Sequence, residues 1–287
     1  MAARLPVIVL AIAAASWSAA AGGSGSAPAF TSDAIAFAVI GDHGNGSAAQ
    51  YDVARQMLKT HATHPFELVL MMGDNLYGSQ QPRDFSMKFE MPYGPLLRIG
   101  IPFYAALGNH DEPDNRQYPQ FNMGGNRYYS IARGPARFFF FDTNLMDPAQ
   151  VKWIETSLRE AREEWKIVIF HHPIYSDGDR HGPNVALRVV LEPLFINHGV
   201  DVAFSGHEHI YERIKPQKGI PYFIVGSSGQ LRKGGLTPSA ITAAGFDQDQ
   251  AFLVASIDGA GLTFRALSRT GAIVDSGVVY NRALTER

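Results

Sequence analysis

The sequence contains no cysteine among its 287 residues. Disulfides, thiolate metal sites, a thiol nucleophile and the lipid-bearing cysteine of bacterial lipoproteins are therefore excluded, and any metal must be held by oxygen and nitrogen ligands. Charge imbalance is also lacking. The chain has 25 Lys and Arg against 27 Asp and Glu, a formal net charge of −2, and no block of one sign. Neither a nucleic-acid partner nor an anionic membrane surface is indicated. An apolar share of 46% and a charged share of 18% describe a globular chain, long enough for one large domain or two small ones. Long apolar runs are absent after the N-terminus. There, Arg4 precedes "LPVIVLAIAAASW", a stretch too short for a comfortable membrane span, and "SAAAGG" offers small residues for cleavage. The expectation is a signal peptide over 1–21, a flexible leader over 22–30 and a folded domain over 31–287. The mature protein would be exported, periplasmic or extracellular, with no stable membrane partner. An uncleaved anchor is the alternative.

What is present is a repeated kind of strand ending. Apolar runs at Ile35–Ile40, Glu67–Met72, Pro102–Leu107, Lys166–Phe170 and Asp201–Ser205 lead into "GDHGNG", "GDNLYG", "GNHDEP", "HHPIYS" and "GHEHIY". Any one of these would read as a turn or a helix cap. Five endings of one chemical kind predict a common rim, because ligand sites in open α/β sheets form outside the carboxyl ends of the strands. Three helices are expected between the runs: 47–60, 184–198 and a helix opened by Asp147 and Pro148. The last would place Val151, Ile154, Leu158, Ala161 and Trp165 on one face. From about Ile220 the chain reads as strands with hairpin turns at "DGAG" and "RTGA", completing a second sheet packed on the first.

The rim candidates are Asp42, Asp74, Tyr77, Asn109, His171, His207 and His209. One ion does not take so many protein ligands, and two closed ions would need more. A pair of ions with open positions fits, a device for phosphoryl displacement with the metals roughly 3.5–4 Å apart. A phenol has a pKa near ~10, so Tyr77 as a ligand calls for a hard trivalent ion, with ferric iron the leading choice. Neutral Asn109 and imidazoles suit a divalent ion such as iron, zinc or manganese. The pair keeps a net positive formal charge and attracts phosphate.

The blocks "GDHG", "GDNLY", "GNHD", "VIFHHP" and "GHEH" resemble those of the calcineurin-like metallophosphoesterase superfamily. The tyrosine of "GDNLY" is similar to the purple acid phosphatase branch, in its small, mammalian-type form. Gly44 stands where many other members carry a metal-binding histidine. The resemblance implies that Asp42, Tyr77 and His209 hold Fe(III), that Asp74 bridges, and that Asn109, His171 and His207 hold the divalent ion. It gives the ligand role to His171 and not to His172. It implies catalytic, substrate-side roles for His110 and His181.

The expected fold is α/β, a four-layer α/β/β/α sandwich of two mixed sheets with the metal site at the carboxyl ends of the strands. The expected activity is that of an acid phosphatase releasing inorganic phosphate from small phosphate esters, with hydroxide provided at the metal pair. A phosphodiesterase or nucleotidase on the same centre, or a secreted iron-binding redox protein, are the alternatives. His61, His64 and His198 suit helix ends. His43 and His172 either line the pocket or pack. Asp111 either orients His110 or makes a turn, and Asp142 and Asn144 read as turn residues.

Overall fold

The computed structural model describes residues 35–259 and 261–282. The signal peptide and leader expected over 1–30 lie outside the described residues. Among the described residues, thirteen strands form two sheets. The first has the order β13-β12-β11-β1-β2-β3, with β1 at Ile35–Ile40, β2 at Leu68–Met71, β3 at Phe103–Ala105, β11 at Ala251–Ile257, β12 at Leu262–Ser268 and β13 at Ile273–Val279. The second has the order β10-β8-β9-β7-β6-β5-β4, with β4 at Tyr129–Arg133, β5 at Ala136–Phe140, β6 at Trp165–Ile169, β7 at Val202–Ser205, β8 at Tyr211–Gln217, β9 at Ile220–Val225 and β10 at Thr242–Phe246. Both sheets are mixed. Strands β1, β2 and β3 run parallel while β11 is antiparallel to β1; β5, β6, β7 and β9 run parallel while β4 and β8 are antiparallel to their neighbours.

Period-two alternation explains the layering. Phe37 and Val39 of β1 face the second sheet and share a core with Phe138, Phe140, Ile167, Phe204 and Phe223. Ala36, Ala38 and Ile40 face the other way, onto α1 (Ala48–Thr63) and α3 (Met91–Arg98). On the far side of the second sheet, Phe139, Phe141 and Val168 pack on Ile154 and Leu158 of α4 (Pro148–Glu160) and on Leu191 and Phe195 of α5 (Val185–Asn197). Four layers result, α/β/β/α. Strands covered on both faces read as continuous apolar runs and not as alternating ones. Each fully buried large side chain contributes roughly 1.5–3 kcal/mol of transfer free energy.

The helix starts follow from their caps. Ser47, Asp147 and Asn184 each accept a backbone N–H two or three residues into the helix they open. A four-residue helix, α2 (Pro82–Phe85), leads into a π-helical turn over Ser86–Glu90. Pro92 lacks the N–H that Lys88 O would accept, and the side chain of Gln50 donates to that carbonyl instead, at 2.5 Å.

Two sequence expectations need correction. The helix from Pro148 ends at Glu160, because Ala161 turns to an extended ψ of 133°. Trp165 therefore opens β6, and its buried side chain belongs to the core between the sheets. The strands after Ile220 do not complete one sheet. β9 and β10 join the second sheet, whereas β11, β12 and β13 extend the first through antiparallel pairing of β11 with β1.

Candidate metal centre

Strands β1, β2 and β3 of one sheet and β6 and β7 of the other end at the same rim, and the chain turns sharply at each end. Asp42 N donates to Gly73 O at 3.0 Å, Ala106 N to Met71 O at 2.9 Å and Gly206 N to His171 O at 3.0 Å. Five non-glycine residues among those described have positive φ, and three of them are Asp42 (53°), Asp74 (52°) and His207 (69°). Such conformations cost roughly 1–3 kcal/mol each and collect where a site must aim a side chain. Glycines at the strand ends answer to close approach. A Cβ on Gly108 would lie 2.2 Å from Asp74 Oδ1, and one on Gly206 would lie 2.4 Å from Asp42 Oδ2.

Two donor groups meet there. Side-chain donor atoms of Asp42, Asp74 and His209 lie within 4.8 Å of one another, and so do those of His171, His172 and His207. Tyr77 joins the first group, its hydroxyl 3.1 Å from Asp42 Oδ1 and 3.1 Å from His209 Nε2. Asn109 joins the second, with Oδ1 3.0 Å from His171 Nε2. Asp74 belongs to the first group and also reaches the second, with Oδ1 3.4 Å from His171 Nε2. The seven rim candidates are thus brought together.

The donor set fits cations. His171 Nδ1 lies 2.9 Å from Met72 O, an atom that can only accept, so the ring proton sits on Nδ1. Nε2 then faces Asn109 Oδ1, another acceptor, at 3.0 Å, so a proton or a metal ion must stand between them. A positive ion resolves that opposition. Burial pulls His171 down, but Asp74 and Asp42 outweigh it and hold it above the usual imidazole range. Burial, with His171 and His172, pushes His207 down to about 2, which keeps that ring neutral as a ligand must be. Burial lifts Asp42 above the usual carboxylate range. Burial also lifts Asp74, but His171 and the backbone N–H of His110 outweigh it and hold Asp74 low. Burial, Asp42 and Asp74 hold the Tyr77 phenol far above its ordinary range. The protein's own groups therefore oppose a phenolate, and only a strongly charged cation would produce one.

His110 and His181 flank the two groups. The His110 ring lies 4.6 Å from the Tyr77 ring, and the backbone N–H of His110 donates to Asp74 Oδ1 at 2.9 Å. The His181 ring lies 4.1 Å from the His207 ring, and Arg180 Nε donates to His181 Nε2 at 3.1 Å. A cleft of about 670 Å³ opens beside Asn109 and His172, with Leu107, Pro113, Arg116 and Asn144 among its walls.

Other residues were less legible. His172 lines the cleft and lies in the second donor group, with Nδ1 2.9 Å from Thr143 Oγ1. His43 is buried and packs edge-on against Tyr93, with burial pushing it down to about 3. Asp111 accepts from the backbone N–H groups of Asn75, Leu76 and Gly108 at 3.1, 3.0 and 2.9 Å. It ties the β2 turn to the β3 turn, and its hydrogen bonds do not go to the His110 ring. Asp142 accepts from Asn144 N at 3.0 Å as a turn residue should, while Asn144 Nδ2 donates to Gly108 O at 3.0 Å and so braces the Asn109 turn. Nothing in the sequence marks that brace. His61 packs on Phe66, away from the rim.

Gly44 adjoins Tyr77 directly. Tyr77 N donates to Gly44 O at 2.9 Å, and a Cβ on Gly44 would lie 1.7 Å from Asn75 O. No side chain fits at position 44 while the 74–77 turn stays in place. Gly44→Ala is expected to lower stability by about 3 kcal/mol, as overpacking against backbone does. Urea unfolding at fixed metal content checks this, and an unshifted midpoint would show that the turn has room to give.

The pattern that describes the calcineurin-like phosphoesterase family matches residues 35–211. The chain is 26% identical to tartrate-resistant acid phosphatase type 5 of Mus musculus over 246 residues, covering 71% of this chain and 74% of that protein. It is 31% identical to purple acid phosphatase 3 of Arabidopsis thaliana over 247 residues, covering 72% of this chain and 67% of that protein. Among solved structures, GAP50, the anchor in the inner membrane complex of Plasmodium, superimposes with a TM-score of 0.77 at 19% identity, covering 86% of this chain and 89% of the other. That last likeness shows the fold alone.

Proposed function

This chain belongs to the calcineurin-like phosphoesterase family and is related to the purple and tartrate-resistant acid phosphatases, and on that premise we propose that it is an exported acid phosphatase acting on small phosphate monoesters. The observation that carries the reading is the convergence of both donor groups on Asp74, which lies in one and touches the other. In this reading Asp42, Tyr77 and His209 hold Fe(III), and Asn109, His171 and His207 hold a divalent iron, zinc or manganese ion. Asp74 serves both. The ions, when bound, supply Lewis acidity and a water of lowered pKa. Placement in the small, mammalian-type form is part of the proposal; the chain covers 74% of the mouse protein and 74% and 67% of two Arabidopsis thaliana purple acid phosphatases.

The chain's own groups do the rest. The His207 backbone N–H fixes the Asp42 carboxylate at 2.9 Å, and Met72 O fixes the His171 ring. His110 and His181 stand beside the two donor groups, where either can pass a proton to the oxygen of the departing alcohol. The cleft beside Asn109 and His172 takes the organic part of the ester.

Metal analysis with a visible spectrum tests the reading. The iron-loaded protein is expected to be coloured, through charge transfer from the Tyr77 phenolate to ferric iron. Tyr77→Phe is expected to remove the band and leave the fold intact by circular dichroism. A colourless protein with full iron content would sink the Tyr77 assignment. Assays of a monoester beside a diester then decide between the phosphatase and the phosphodiesterase.

A further inference from the structure

Glu208 stands between the two histidines of "GHEH", in a tight turn where Glu208 N donates to Gly206 O at 2.9 Å and Ile210 N donates to Glu208 O at 2.7 Å. His207 and His209 face the rim, and Glu208 faces the loop that carries His181. It is fully buried. One oxygen, Oε1, accepts from His181 N at 2.5 Å and from Gly182 N at 2.6 Å. The other, Oε2, is buried without a hydrogen-bond partner among the described residues. The loop is pressed onto this carboxyl group. A Cβ on Gly178 would lie 2.5 Å from the Glu208 carboxyl carbon. A second buried acid, Glu212, holds the start of the same loop by accepting from Ser176 Oγ and Asp177 N, both at 2.9 Å. The pair forms a rigid base under residues 176–182.

A buried carboxylate is tolerated when hydrogen bonds compensate its desolvation, and bonds from N–H groups to an ionised oxygen are the strong ones. Here both donors are backbone groups of the segment that carries His181. The His181 ring lies 4.1 Å from the His207 ring, on the residue next to Glu208. We infer that Glu208 is a positioning residue, whose carboxyl group fixes the backbone of His181 and so sets that ring beside the substrate. This rests on the proposed phosphatase reading and gives one of its histidines a defined support.

The reach of the side chain, and not its charge, is what the geometry requires. Glu208→Asp keeps the charge and shortens the side chain by one methylene, so the carboxyl group withdraws from both N–H groups. Glu208→Gln keeps the reach, and its amide oxygen still accepts. Trypsin cleavage after the exposed Arg180 reads the loop without substrate or turnover. The Asp variant is expected to be cleaved there about tenfold faster or more, from the loss of two hydrogen bonds to backbone N–H groups. It is also expected to lose about 10²-fold on an alkyl phosphate, and less on nitrophenyl phosphate, with metal content unchanged. The Gln variant is expected to stay within about threefold of the wild type in both measurements, since its amide oxygen still accepts both hydrogen bonds. Wild-type behaviour of Glu208→Asp in both would overturn the inference. Loss of metal from Glu208→Asp with the loop still protected would overturn it too, because the support would then be for His207 and His209. A wild-type protein without phosphatase activity sinks the functional reading alone, since the proteolysis arm still decides the contact.

Discussion

Asp74→Ala is expected to abolish turnover and to lower the content of both metal ions together. The expectation comes from position. Asp74 lies with Asp42 and His209 in one donor group, and its Oδ1 lies 3.4 Å from His171 Nε2 in the other. It is buried, it adopts a φ of 52° to aim its side chain, and it accepts the backbone N–H of His110 at 2.9 Å. Alanine removes the shared donor and leaves that N–H unpaired. Metal-assisted stabilisation is worth several kcal/mol, so a loss of at least ~10³-fold is expected. Asn109→Ala provides the contrast. Asn109 touches His171 and no residue of the first group by hydrogen bond, so this variant is expected to weaken one ion and retain the other. Elemental analysis after dialysis against a chelator reads both variants. Two tightly retained ions in Asp74→Ala would mean that the two groups do not share this residue.

Much of this site was legible because its signals are local. A run such as Ile35–Ile40 is apolar throughout, since both faces of β1 are covered, and it stops at a glycine followed by a donor. A Cβ on that glycine would meet Val225 O, and one on Gly108 or Gly206 would meet the carboxylate of Asp74 or Asp42, so the Gly-Asp, Gly-Asn and Gly-His pairs mark places of close approach. Helix starts were readable for the same reason, each from one capping side chain. Long-range pairing leaves no local trace. Ile35 pairs with Ile257 across the length of the domain, and nothing in "AFLVASI" says that its neighbour is the first strand. Trp165 continues a helical spacing although the chain has already turned at Ala161. His43 and His172 each follow a ligand position, yet one is sealed against Tyr93 and the other lines the cleft. The supports were hidden as well. Glu208, Asp111 and Asn144 act by bonding backbone of distant segments, and their sequence neighbours explain none of it.

The histidines beside the centre carry the remaining expectation, that His110→Ala or His181→Ala slows turnover according to the leaving group. The departing alkoxide of an alkyl phosphate needs a proton, and a positioned donor typically contributes about 10²–10⁴-fold. A nitrophenolate needs little protonation and should be affected less. Geometry leaves both residues in place for the task on different sides. The His110 ring rests on Tyr77 and is half exposed, and the His181 ring rests on His207 at 4.1 Å. Burial, with Arg180 adding to it, holds His181 below the ordinary imidazole range, so that ring carries a proton only in acid. If His181 is the donor, alkyl phosphate turnover should fall as pH rises through a value below 6.5, and this limb should vanish in His181→Ala. Steady-state rates for both variants on alkyl and nitrophenyl phosphates, with metal content matched, separate the cases. The operating donor shows a loss on the alkyl ester that is much greater than the loss on the aryl ester. Equal losses on both esters for both variants would rule out proton donation and leave the two rings as phosphate-binding groups.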